Sequence, residues 1–135
     1  MNITLRSGER LYLNGAVIRV DRKATIELLN DAAFLLESHV MQAAEATTPL
    51  RQIYFAVQIA LMDPASKPSV APLIETLIAQ TEAAIKTVQL RAALDAVRAL
   101  VGRGRHFEAL KTLRANYPVE HVEMTPVAVA KRDAA

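Results

Sequence analysis

The side chains best suited to proton transfer or metal binding near neutral pH are three histidines, His39, His106 and His121. They stand far apart and lack a paired ligand spacing, so each reads as an ordinary surface or core residue rather than part of a metal site. With 0 Cys in the chain, thiolate sites and disulfides are excluded, which fits a reducing, cytoplasmic setting. No nucleophile elbow or Walker loop is present. Gly102-Arg103-Gly104-Arg105 has neither a strand before it nor a Lys-Ser/Thr after it, so it reads as a turn between helices rather than a phosphate loop. The expectation is a non-enzymatic protein that needs no cofactor and no metal.

The remaining chemistry is cationic. Residues 1–46 carry 5 basic and 6 acidic side chains, whereas residues 89–118 carry 6 and 2. Two groups could meet a polyanion. The first is Arg6, Arg10, Arg19, Arg22 and Lys23, where a small sheet could offer side chains to unstacked RNA bases. The second is Arg98, Arg103, Arg105, Lys111 and Arg114, where phosphates could be held. The bland readings are solvated strand and turn positions for the first group, and helix-dipole partners for Lys111 and Arg114. Aromatics are few, and Phe34, Phe55 and Phe107 fall at apolar positions, so no base-stacking platform is evident.

These side chains need elements to carry them. Ile3 and Leu5 alternate with Asn2, Thr4 and Arg6, the period of a half-buried strand. Leu11–Leu13 and Ala16–Val20 flank Asn14-Gly15, a strong hairpin signal because both residues tolerate positive φ. Further strands are expected near Thr25–Leu28 and, after a turn at Asn30-Asp31, near Phe34–Leu36, making an antiparallel meander of about five strands. Residues 38–46 fit a strand end or a helical turn equally well. At Thr47 the period changes. Thr48 suits an N-cap and Pro49 the first helical position. Leu50 to Met62 is apolar on nearly every face, so that helix is buried or forms an interface. Asp63-Pro64 ends it. A second helix is capped at Ser69 with Pro72 in its first turn, a third spans Val88 to Val101 with Gly102 as its cap, and a fourth runs from Arg105 to Pro118. Whether residues 83–87 break the second and third helices is open.

The predicted class is therefore α+β: a β-rich unit over 1–46, about four helices over 47–118 packed on it, and a flexible tail over 119–135. The two parts could equally form one domain. The first nine residues hold no apolar signal core, and the run from Ile53 to Met62 falls short of the ~18–20 apolar residues a membrane helix needs. A soluble, cytoplasmic protein without membrane contact is expected.

The block from Glu45 through Thr47-Thr48-Pro49-Leu50-Arg51-Gln52-Ile53-Tyr54-Phe55 to Gln58 resembles the core signature of the FlbT family of bacterial flagellar regulators. Gly8-Glu9 with Asn14-Gly15-Ala16-Val17-Ile18, and Gly102-Arg103 with Phe107-Glu108-Ala109-Leu110-Lys111-Thr112-Leu113, resemble it in the same order, covering about residues 1–118. The resemblance implies a post-transcriptional regulator that binds the 5′ untranslated region of flagellin mRNA. It would repress translation or promote decay, alongside a partner regulator, FlaF. In some bacteria the family supports flagellin expression instead, so the sign stays open.

Thr4-Leu5-Arg6, Gly8-Glu9, Asn14-Gly15 and Asn30 to His39 also resemble the carbon-storage regulator family, whose interlocked β dimers grip RNA loops. That resemblance implies RNA-facing roles for Leu5, Arg6 and His39, and a homodimer. Ser7 and Val40 depart from the basic residues usual at those places. The competing reading is a protein-interaction adaptor or chaperone-like factor of flagellar assembly, with the apolar Leu50–Met62 helix as its interface.

Overall fold

The structure is a computed structural model and describes residues 1–30 and 32–124. Asp31 of the expected turn, and residues 125–135 of the expected tail, lie outside the described residues. Five antiparallel strands come first: β1 (Asn2–Leu5), β2 (Arg10–Leu13), β3 (Ala16–Arg19), β4 (Ala24–Glu27) and β5 (Phe34–Leu36). Five helices follow: α1 (Pro49–Met62), α2 (Lys67–Ala84), α3 (Val88–Gly102), α4 (His106–Ala115) and α5 (Tyr117–Met124). The class is α+β. The undecided stretch before α1 holds two short 3-10 turns, at Glu37–His39 and Ala43–Glu45.

Asn14 and Gly15 close the β2–β3 hairpin at φ 48° and 83°, the pair of positive values a type I′ turn requires. Gly15 is doubly constrained, because a Cβ there would stand 3.0 Å from the ring of Pro64. The hairpin tip thus rests on the α1–α2 connection. Only β2 and β3 pair as sequence neighbours. β2 also pairs with β5, while β1 pairs with β4 in a separate two-stranded sheet. Alternation explains the layering. Ile3 and Leu5 of β1 and Ile26 of β4 face Leu11, Ile18 and Leu36 of the other sheet, forming one small core with Phe34 between the layers. The Gly8 N–H donates to the Val20 carbonyl at 2.8 Å and ties the layers together.

In α1 the Thr48 hydroxyl accepts from the Arg51 N–H at 3.3 Å and Pro49 occupies the first turn, as the local chemistry predicts. Helix α2 begins at Lys67, before the expected cap. Ser69 lies inside it and donates to the Ser66 carbonyl at 3.0 Å. Pro72 also lies inside the helix. The open question at residues 83–87 resolves as a break after Ala84. The end of α3 is set by Gly104 rather than Gly102. Gly104 takes φ 76°, its N–H donates to Val101, and the Arg105 N–H donates to Leu100 at 2.8 Å, the paired bonds of a Schellman cap.

The first residues of the expected tail are helical instead. Glu120 and Glu123 stand three apart on α5, hence on one face. Glu120 is buried, and its Oε2 accepts from the Leu50 N–H at 2.7 Å in the first turn of α1. Glu123 accepts from the Lys86 and Thr87 N–H groups at 2.8 and 2.6 Å at the start of α3. Each carboxylate fills donors that a helix start leaves unpaired and opposes the positive end of its dipole. Burial works to raise the Glu123 pKa, but the bonds from Thr87 and Lys86 outweigh it and hold the carboxyl below its ordinary value.

A larger core runs through the helices and is built on Ile53, Val57, Ile78, Leu90, Leu94, Val97 and Leu113. Leu35 of β5 belongs to it, and Tyr12 of β2 packs against it. Phe107 of α4 touches both cores, its ring 4.8 Å from that of Phe34.

Candidate nucleic-acid interface

The strand cations divide by face. Register sets Arg10 directly opposite Arg19 across β2–β3, on the side of the sheet that carries Tyr12 and Val17. Both arginines are exposed, and among the described residues neither guanidinium has a carboxylate partner. Like charges opposed across a strand pair are unfavourable by themselves. Glu37 accepts from the Arg10 backbone N–H at 2.9 Å instead. Arg6 follows β1 in phase with exposed Asn2 and Thr4, on the outer side of the other layer, and its N–H donates to Glu9 at 3.0 Å. Arg22 and Lys23 sit in the exposed β3–β4 turn, and Asp21 lies 3.8 Å from Arg22.

Leu5 corrects the expectation drawn from the carbon-storage resemblance. It is 0% exposed in the small core, opposite Ala24, and cannot touch RNA. The strand alternation had already pointed it inward. His39 is exposed at the end of the first 3-10 turn, where its carbonyl accepts from the Tyr54 hydroxyl at 3.3 Å.

The second group is not a patch. Arg98 lies between α2 and α3, bonded to both oxygens of Glu75 at 3.1 Å, to Asp95 at 3.1 Å, and to Glu82. The bonds to Glu75 and Glu82 push its pKa above the ordinary arginine value. It is not free to hold phosphate, because three carboxylates already surround it. Arg103 caps α3 and is exposed. Arg105 pairs with Glu108, and the Lys111 ammonium stands 5.4 Å from the centroid of the Phe107 ring. Arg105 and Lys111 share a groove of about 970 Å3 with Phe34, His106 and Phe107. His106 is buried, and its Nδ1 has no hydrogen-bond partner among the described residues. Burial lowers its pKa from the ordinary histidine value, the Gly104 backbone pulls it back up in part, and Lys67 pushes it down again.

Arg114 falls elsewhere, and with it comes a site that sequence reading missed. Its guanidinium donates to the Tyr54 hydroxyl at 2.6 Å and lies 5.4 Å from the centre of that ring. Arg51 lies 4.3 Å from the centre of the Tyr117 ring. With His39 and Glu45 these four side chains line a cleft of about 270 Å3. His39 from the strand unit and Arg114 of the second group are thus brought together by residues of the family-like block. The signal was available: a tyrosine on an otherwise apolar helix has a hydroxyl that must find a partner.

A two-layer β unit with surface arginines, braced by helices, defines a small α+β protein; no cluster of metal-ligating side chains occurs among its described residues. The family model described as "Flagellar protein FlbT" matches residues 1–124, and the chain belongs to that family. A Brucella ovis protein named "Probable flagellum biosynthesis repressor protein FlbT" is 49% identical over 120 residues, covering 89% of this chain and 79% of that protein. A Brucella anthropi protein of the same name is 45% identical over 140 residues, covering 99% and 92%. No solved structure matches the chain. Among the described residues no helix is long and apolar enough to cross a membrane.

Proposed function

We propose that this protein is a regulator of flagellar biogenesis that binds the 5′ untranslated region of flagellin mRNA and represses its translation or promotes its decay. The relatives' name supports the repressor role. The observation that carries the RNA contact is the Arg10–Arg19 pair: two exposed guanidiniums opposed across a hairpin, with no acid partner among the described residues. Such a pair gains from an anion placed between its members. The role is regulatory rather than catalytic.

A mobility-shift assay with flagellin leader RNA at low salt tests the reading. Wild type is expected to shift the RNA, and the double variant Arg10→Gln/Arg19→Gln to shift it less. Absence of any wild-type shift overturns the proposal. Burial of Leu50, Ile53, Tyr54, Ala56, Val57, Ala60 and Leu61 removes much of one of the two features behind the adaptor reading, although Ile59 of α1 stays exposed and the helical hairpin is untouched by this.

A further inference from the structure

We propose that the cleft holding Arg51, Tyr54, Arg114 and Tyr117 is a phosphodiester subsite for single-stranded RNA, with the two guanidiniums as its phosphate ligands. The inference rests on the RNA reading above and adds a second contact region to it, on the helices.

The two arginines differ in what neutralises them. Arg114 has no carboxylate partner among the described residues. Its guanidinium is bonded to the Tyr54 hydroxyl, on a side chain that is 1% exposed. Burial raises the Tyr54 pKa against the opposing pull of Arg114, so the phenol remains neutral and leaves the charge of Arg114 uncancelled. Arg51 is ion-paired with Glu120 at 3.9 Å. The pair is loose: the other Glu120 oxygen accepts from the Leu50 N–H at 2.7 Å, and the oxygen facing Arg51 has no hydrogen-bond partner among the described residues. Glu45 also lines the cleft; it accepts from the Gln42 N–H at 2.8 Å and keeps its negative charge.

The geometry then says what fits. A guanidinium lying against a tyrosine ring is held in orientation while its N–H edge stays available for bidentate bonding, the arrangement suited to phosphate. Tyr117 lines the same cleft, and its buried hydroxyl has no hydrogen-bond partner among the described residues. At about 270 Å3 the cleft lies just under the size of a pocket for a whole small ligand. It suits one phosphate with part of its nucleotide.

The surroundings favour an extended polyanion over an isolated one. The 3-10 turn Glu37–His39 connects the cleft to the sheet: the His39 carbonyl binds Tyr54, and Glu37 binds the Arg10 N–H. Cations without a carboxylate partner among the described residues thus stand on both sides of the turn, Arg10 and Arg19 on the sheet and Arg114 in the cleft, where Arg51 is ion-paired with Glu120 at 3.9 Å. A chain carrying a phosphate at every nucleotide can satisfy both ends at once.

The test is a salt series of binding to flagellin leader RNA by wild type, Arg114→Gln and Arg114→Lys, with thermal melting of each protein alongside. Arg114→Gln is expected to bind about fivefold to tenfold more weakly at moderate salt. Its slope of log affinity against log salt should fall by about 0.7, the value for neutralising one phosphate fewer on a single strand. Arg114→Lys should keep the slope and bind more weakly than wild type, because the charge stays and the fork does not. A purely structural role would lower the melting temperature and leave the slope unmoved, and that result overturns the subsite. If Arg114→Gln binds as wild type does while Arg10→Gln/Arg19→Gln is weakened, the subsite fails and the RNA reading stands. If wild type binds no RNA, the RNA reading itself fails. Displacement of the leader by poly-glutamate but not by oligouridylate of equal charge would assign the cleft to acidic peptide and overturn the proposal.

Discussion

The β2–β3 hairpin and the α2–α3 helix pair treat charge in opposite ways. On the strands, Arg10 and Arg19 face each other with no acid between them, and the nearby carboxylates of Glu9 and Glu37 are spent on backbone N–H groups. On the helices, Arg98 is ringed by Glu75, Glu82 and Asp95, and Arg105 is taken by Glu108. Net charge by segment overstates what the helical segment leaves unpaired. Residues 89–118 have the larger excess of basic groups, yet two of the acids that quench Arg98 come from α2, outside that segment. What matters to a polyanion is which cations remain unpaired in space.

The contrast can be broken or sharpened by substitution. The largest effect is expected in the helical core, where Leu94 is 0% exposed. Leu94→Ala should cost about 2–5 kcal/mol in urea denaturation, through the apolar burial removed and the cavity left behind. Glu120→Ala should cost about 1–3 kcal/mol by the same measurement, because it orphans the buried Leu50 N–H. A loss within experimental error would show that α5 does not hold the start of α1. Arg98→Ala should cost about 1 kcal/mol and leave RNA affinity unchanged, since its charge is used inside the protein. Weakened RNA binding by that variant would erase the distinction between the regions.

Arg10→Gln/Arg19→Gln should do the reverse. Stability should rise by about 0.2–1 kcal/mol as the like charges are removed, while RNA affinity falls. A drop in both would mean that the pair is structural. The smallest effect expected is a pH slope. His106 is held neutral by burial, so its folded pKa lies below the ordinary 6.5. The unfolded chain then binds the extra proton first, and stability declines as pH drops from about 6.5 towards the folded value. His106→Gln should flatten the denaturation midpoint across that window.

Local chemistry was legible in the sequence. Asn14-Gly15 required positive φ, and Thr48-Pro49 had to start a helix. Contacts decided through space were not. The β1–β4 pairing depends on which sheet covers which apolar face, and α5 looked like a tail because the partners of Glu120 and Glu123 lie far back along the chain. The cleft was hidden for the same reason. Arg51 and Tyr54 lie one turn apart on α1, but Arg114, Tyr117 and His39 arrive from three other segments. Leu5 shows the opposite case, where the strand period was the better guide and the analogy misled.

The bond from Glu120 to Leu50 spans 70 residues, and this has a consequence for timing. At a synthesis rate of about 5–20 residues per second, the amide of Leu50 is made roughly 4–14 s before the carboxylate that completes it. The block that marks the family therefore cannot finish its own helix while it emerges. A chain released early, short of Glu120, would carry that block with an open first turn and an unmet donor. Completion of that first turn thus reports that synthesis has passed Glu120.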